Sequence, residues 1–218
     1  MAANDVLTRE KIDAELATLP GWRFRLGGLA TVLKCPTSAA ALELFAAIGE
    51  LAQKANHHPD VDWRYDTLFV ALTSHDAGSK VTARDAALAK SISAAGQDVD
   101  AVEVPERLRS LEIALDTADI AEIAPVWAAA LGFVAGEPDE LKDPAGRLPT
   151  LWFQQSPTPN ANRFHFDIQV PASEAQKVLA AVEAAGATLD RSNAPQFVIA
   201  TDAQGNRLCI CTEEGRGA

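Results

Sequence analysis

The chain has 218 residues, 48% of them hydrophobic, with 30 acidic against 19 basic side chains and a formal charge of −11. That length suits two domains of about 100 residues, each with enough apolar material for its own core. The acidic balance argues against nucleic acid as a partner, because such binding rests on Lys and Arg neutralising phosphates.

Nothing at the N-terminus resembles the apolar h-region of a secretory signal. The apolar stretches around Ala39 to Ala47 and Val126 to Val134 fall far short of the roughly 20 residues a bilayer requires, so no membrane partner is expected. Cys35, Cys209 and Cys211 form neither a disulfide framework nor a CxxC motif. They read as small buried thiols in a reducing cytoplasm, Cys209 and Cys211 sharing one face of a strand.

In chain order, Thr8 caps a predicted helix running to about Thr18, with Ile12, Leu16 and Leu19 on its apolar face. Two strands follow, Trp22 to Leu26 and Leu29 to Lys34, joined by Gly27-Gly28 as a tight turn. A long helix, about Ser38 to Lys54, places Leu42, Phe45, Ile48, Leu51 and Ala52 on its apolar stripe and must stop before Pro59. Tyr65 to Ser74 reads as a buried strand. Thr82-x-x-Asp85 reads as a capping box opening a helix to about Ser93. The order α-β-β-α-β-β-α is an α+β pattern: a four-stranded antiparallel sheet with helices on one face.

From Ala95 to Ser110 the sequence turns polar and aperiodic. The expected organisation is a first domain over 1–96, a linker over 97–109 and a second domain over 110–214. The second half predicts a strand at Leu111 to Thr117 and a helix from Asp119 to Leu131. Strands are then predicted near Phe133, at Leu148 to Gln154 and at Arg163 to Val170. A helix from Ser173 to Ala185 precedes strands at Ala187 to Leu189, Phe197 to Thr201 and Arg207 to Thr212. Strand-helix-strand occurs twice, a weak internal repeat suggesting two βαβββ units. Gly-x-Ser-x-Gly, Walker A and GxGxxG motifs are absent, so serine-hydrolase and nucleotide chemistry have no sequence support.

Three of the four histidines, His57, His58 and His75, lie within 19 residues of one another. The pair follows a helix end and the third ends a strand, which places imidazoles at a pocket rim. Imidazole gives or takes a proton near neutrality. A dehydration needs both actions, one group to protonate the departing hydroxyl and another to remove the proton that closes the double bond. A loop accident and a zinc site are the competing readings, although adjacent side chains rarely converge on one metal.

The run Asn56-His57-His58-Pro59-Asp60, then Tyr65, His75-Asp76-Ala77-Gly78, Thr82 and Asp85, with Leu16-x-x-Leu19-Pro20-Gly21-Trp22 upstream, resembles the pterin-4a-carbinolamine dehydratase family. The resemblance runs from about Leu7 to Ile92. It implies a lyase that needs no cofactor, commonly a dimer or tetramer, removing water from 4a-hydroxytetrahydropterin to regenerate quinonoid dihydropterin. By position, His57 and His75 would be acid/base groups and His58 would hold the pterin ring. Asp85 would orient a histidine or the substrate, Trp22 would line the pocket, and Gln53, Asp60 and Asp76 would complete the substrate site. Two places depart from the family: Gln53 stands where an acidic residue is usual, and Ser79-Lys80 replaces a Gly-Gly/Leu pair.

In the second half, the start at Leu111 to Gly132, Asn162-Arg163-Phe164-His165-Phe166-Asp167 and Asp202-x-x-Gly205-Asn206 resemble a glyoxalase-like domain of the vicinal-oxygen-chelate superfamily. The resemblance implies paired βαβββ modules around a cavity. It puts Glu112 and His165 where divalent-metal ligands commonly fall, with Cys209 at the usual last-strand Glu position and Arg207 nearby. His165 as a hydrogen-bonded cavity residue is the alternative. Two other functions stay open: a pterin-binding or dimerising protein, and a metal-dependent enzyme working in the second half.

Overall fold

The computed structural model describes residues 6–108, 112–157, 166–170 and 172–211, and they divide into two compact units, 1–110 and 111–218.

In the first unit, helix α1 (Arg9–Leu16) is capped by Thr8, whose Oγ1 accepts from the Lys11 N–H. Strands β1 (Arg23–Arg25) and β2 (Gly28–Lys34) form an antiparallel hairpin. Its turn is Leu26-Gly27, not Gly27-Gly28, with both residues at positive φ, 45° and 84°. That conformation matches the right-handed strand twist. Gly28 is instead the place where backbones crowd: a Cβ there would lie 2.7 Å from Thr73 Cγ2 and 2.9 Å from the Leu72 carbonyl oxygen.

Helix α2 (Ser38–Ala55) buries Ala41, Leu44, Ile48 and Ala52. Leu42 and Phe45, expected on the buried stripe, are instead exposed. The helix is apolar on more than one side, so periodicity does not single out the face that packs. Beyond it come β3 (Asp60–Arg64) and β4 (Thr67–Leu72), an antiparallel hairpin turning at Tyr65-Asp66. The expected strand at Tyr65 to Ser74 is thus shorter. β3 is an edge strand, mostly exposed, whose DVDWR run has only Val61 and Trp63 alternating with charged residues.

Helix α3 (Ala83–Asp98) follows, and the sheet order is β1-β2-β4-β3. Leu29 and Leu33 of β2 and Leu68, Val70 and Leu72 of β4 join Leu44, Ile48, Leu88 and Ile92 of the helices in one core. This is the α+β architecture expected.

Of the stretch expected as a linker, 97–109, the described residues 97–108 are structured. A two-residue strand β5 (Val102–Glu103) pairs with β2, adding a fifth member to the sheet. The Val104 N–H then donates to the Val32 carbonyl at 2.8 Å. So short a strand has no periodicity, and its partner lies far back in the chain.

The second unit runs β6 (Glu112–Thr117), α4 (Ile120–Leu131), β7 (Val134–Ala135), β8 (Glu140–Lys142) and β9 (Thr150–Gln155). It repeats this order as β10 (Phe166–Gln169), α5 (Ala172–Ala184), β11 (Thr188–Asp190), β12 (Phe197–Thr201) and β13 (Arg207–Cys211). Each half is a four-stranded sheet in the order first-fourth-third-second, its first and last strands parallel. The weak repeat is therefore two βαβββ modules.

Asp202 braces the β12–β13 turn. Its Oδ1 accepts from the N–H groups of Gln204 and Asn206, and its Oδ2 from Asn206 Nδ2 and from Trp127 Nε1 of α4. Cys209 and Cys211 are both buried, on the strand face opposite Leu208 and Ile210. Among the described residues no helix is long and apolar enough to cross a membrane.

Candidate active site

Asn56 ends α2 in the left-handed conformation, φ 47°, and the His57 N–H reaches back to the Ala52 carbonyl at 3.1 Å. Asn tolerates this helix-ending geometry better than most residues. The reversal sends the two adjacent histidines to different surroundings. His57 is buried, 7% exposed, whereas His58 is exposed.

His57 Nε2 lies 2.7 Å from Asp85 Oδ1. Asp85 is fully buried and is the third residue of α3. Its Oδ2 accepts from the Thr82 N–H at 2.7 Å, completing the capping box, and from the hydroxyls of Ser74 at 2.8 Å and Thr82 at 3.0 Å. The end of α2, the segment after β4 and the start of α3 thus converge on one carboxylate. A carboxylate only accepts hydrogen bonds, so the contact of His57 with an ionised Asp85 requires the proton on Nε2. In the neutral ring Nδ1 then carries the lone pair.

Ser74 is fully buried and immediately precedes His75. Its N–H donates to the Lys80 carbonyl, and its own carbonyl accepts from Ala77 and Ser79. His75 to Ala77 form a 3-10 turn closed by Gly78 and Ser79, both at positive φ. The Ser79-Lys80 departure thus places a non-glycine residue in the left-handed region, where L-residues carry a penalty of about 1–2 kcal/mol. His75 and Asp76 are exposed on this turn. Arg84 Nη2 donates to Asp76 Oδ1 at 2.5 Å. That bond chiefly, helped by the charges of Arg84 and His57 and opposed by desolvation, holds the Asp76 carboxyl below the usual carboxylate range.

The other expected site residues are placed as follows. Gln53 and His58 approach each other, Nε2 to Nε2, at 3.3 Å on the surface. Asp60 is exposed at the start of β3, paired in register with Ala71. Trp22 does not line a pocket: it is 1% exposed in the core, and its Nε1 donates to Ser93 Oγ at 2.8 Å. Ser93 in turn donates to Glu103 of β5, so Trp22 fastens the end of the sheet. Ser74 is the residue that sequence reasoning missed. No motif marks a serine before the third histidine, although a polar residue where a buried strand ends is a weak signal.

In the second unit, Glu112 is exposed at the start of β6, and His165 lies outside the described residues. Among the described residues no three His, Cys, Asp or Glu side chains gather as a metal site. An apolar cavity of about 340 Å³ is lined by Trp127 and Leu131 of α4, Ile113 of β6, Leu151 of β9 and Phe166 and Ile168 of β10, with Phe133, Leu148 and Pro149.

Comparison with known proteins bears on both units. The profile of the family described as Pterin 4 alpha carbinolamine dehydratase matches residues 5–95, and that of the Glyoxalase-like domain matches residues 112–211. A Mycolicibacterium smegmatis protein carrying the provisional name pterin-4-alpha-carbinolamine dehydratase is 37% identical over 87 residues, 40% of this chain and 92% of the relative. A Mycobacterium tuberculosis protein of the same provisional name is 40% identical over 89 residues, 41% of this chain and 94% of the relative. Among solved structures, a transcriptional coactivator/pterin dehydratase from Brucella melitensis is 25% identical with a TM-score of 0.40, covering 42% of this chain and 98% of its own. A glyoxalase-related enzyme from Fulvimarina pelagi is 19% identical with a TM-score of 0.38, covering 48% of this chain and 88% of its own.

Proposed function

The chain belongs, through residues 5–95, to the pterin-4-alpha-carbinolamine dehydratase family, and we propose that its first unit dehydrates 4a-hydroxytetrahydropterin to quinonoid dihydropterin. The buried contact between His57 and Asp85 carries the reading. In the reaction the C4a–oxygen bond breaks, N5 loses its proton, and the C4a–N5 double bond forms as water leaves.

His57 takes the N5 proton through Nδ1, and Asp85 stabilises the imidazolium so formed. Exposed His75 protonates the departing hydroxyl. His58, with Gln53 beside it, borders the pterin, and Asp60 and Asp76 bind its polar edge. These side chains suffice for the acid–base steps, and the dehydration needs no cofactor. The enzyme works in the cytoplasm as a homo-oligomer, for which exposed Leu42, Phe45 and Trp63 offer apolar contact surface.

The second unit, a glyoxalase-like domain, binds a small apolar molecule. Its cavity of about 340 Å³, walled by aliphatic and aromatic side chains, supports this and falls at the small end of ligand-pocket sizes.

The deciding experiment is the dehydration of chemically generated 4a-hydroxytetrahydropterin, followed by ultraviolet absorbance. Wild type should accelerate it, and His57→Ala/His75→Ala should not. Absence of acceleration by wild type would favour pterin binding without turnover, the reading to which the Gln53 departure points.

A further inference from the structure

We propose that Ser74 is a positioning residue of this site: its hydroxyl engages Oδ2 of Asp85, which leaves Oδ1 to take the Nε2 proton of His57 and fixes the reactive lone pair on Nδ1. The assignment rests on the dehydratase reading above and deepens it.

Asp85 has two oxygens with different tasks. Oδ1 meets His57 at 2.7 Å, and Oδ2 meets the Thr82 N–H at 2.7 Å, Ser74 Oγ at 2.8 Å and Thr82 Oγ1 at 3.0 Å. The Thr82 N–H contact belongs to the capping box and would form in any helix that starts this way. Ser74 is different, because it reaches the same oxygen from the segment after β4. Its hydroxyl also lies 2.8 Å from that of Thr82, and the two hydroxyls, with one proton each, supply two of the three hydrogen bonds available around Oδ2. A carboxylate tied only to its own helix could rotate about χ2, which is soft for Asp. Ser74, from the segment after β4, holds Oδ2 in addition to the His57 contact at Oδ1 and restricts that rotation.

Ser74 is itself held immobile. It is fully buried, its N–H bonds to Lys80, and its carbonyl accepts from Ala77 and Ser79. The same backbone anchor carries His75, the next residue. One serine therefore sets the orientation of His57 through Asp85 and the position of His75 through the chain, coupling the two groups whose separation the dehydration depends on.

The test uses the full chain labelled with ¹⁵N-histidine, the ring resonances assigned by their loss in single His→Gln variants. In neutral wild type, His57 is expected wholly as the Nε2–H tautomer. Ser74→Ala should give a mixture of tautomers, with kcat lowered about 10- to 100-fold and KM changed by less than about twofold. Thr31→Val is the structural control. Thr31 is equally buried and donates to the Gly21 carbonyl at 2.8 Å, so its loss should lower Tm and leave both the His57 signals and kcat in place.

An Nδ1–H tautomer in wild type overturns the proposal, and that measurement needs no variant to fold. So does a Ser74→Ala protein with lowered Tm but unchanged His57 signals and unchanged kcat. Ser74→Cys, a weaker donor of similar size, replaces Ser74→Ala if the latter does not fold. A wild type without turnover whose His57 tautomers still shift in Ser74→Ala upholds the positioning role and removes the dehydratase reading.

Discussion

Asp85 and His57 stand 28 positions apart in the chain, yet Oδ1 of one lies 2.7 Å from Nε2 of the other, inside the first unit's buried interior. The same Asp85 is the third residue of α3 and closes its capping box. One side chain therefore begins a helix and holds a histidine ring. Changes to it should affect stability and reaction rate by different amounts, depending on which oxygen is altered.

Asp85→Asn keeps the size of the side chain but offers one acceptor instead of two. It is expected to fold with a modest loss of Tm, while kcat falls about 100-fold or more because the histidine loses its carboxylate. Asp85→Ala strips acceptors from His57, Ser74 and the Thr82 N–H together. Its expected penalty is about 2–5 kcal/mol, read by thermal or denaturant unfolding.

Trp22→Phe separates a core role from a pocket role. Loss of the N–H to Ser93 and of ring volume should destabilise the protein by about 1–3 kcal/mol. KM for the pterin should stay unchanged, because the ring is buried in the core. A rise in KM without a fall in Tm would return Trp22 to the substrate site.

Gly28→Ala and Gly49→Ala should move stability in opposite directions. A Cβ at Gly28 meets the Leu72 carbonyl and the Thr73 methyl, an overpacking penalty of about 1–3 kcal/mol. Gly49 is exposed within α2 with nothing near its Cβ position. There alanine should stabilise by about 0.5–1 kcal/mol through helix propensity. Equal effects at both sites, measured by chemical denaturation, would contradict the packing described here.

The Asp143 and Asp76 carboxylates should add an acid limb to the stability profile. The N–H groups of Ala145 first, then Arg147 and Leu148, hold the Asp143 carboxyl low, and the Arg84 bond chiefly holds Asp76 low. A carboxylate whose folded value is lowered contributes stability that is present above its unfolded value and lost as pH falls through the folded one. Any loss due to these groups should therefore begin below about pH 4. Asp143→Ala should show a shallower acid limb in Tm against pH, and an unaltered limb would count against this role for the Asp143 turn.

Local signals in the sequence predict the structure where neighbours along the chain supply the physics. Thr82 and Asp85 form the expected capping box, because its hydrogen bonds span three residues. The α2 end before Pro59 and the repeated βαβββ order were legible for the same reason. Ser74 carried no such signal, since its partners lie eight and eleven positions ahead. Leu42 and Phe45 repeat with helical spacing but face outward, because a helix apolar on several sides does not state which side packs.

By itself the sequence determined the α+β class, the division into two units and the histidine motif, all of which follow from periodicity, local hydrogen bonding and spacing. The tertiary structure decided which histidine is buried, which of its ring nitrogens faces Asp85, and that Trp22 belongs to the core. It also drew β5 out of the apparent linker. These depend on contacts between residues distant in the chain, where burial and the need to satisfy every polar group choose among arrangements that local pattern leaves equal.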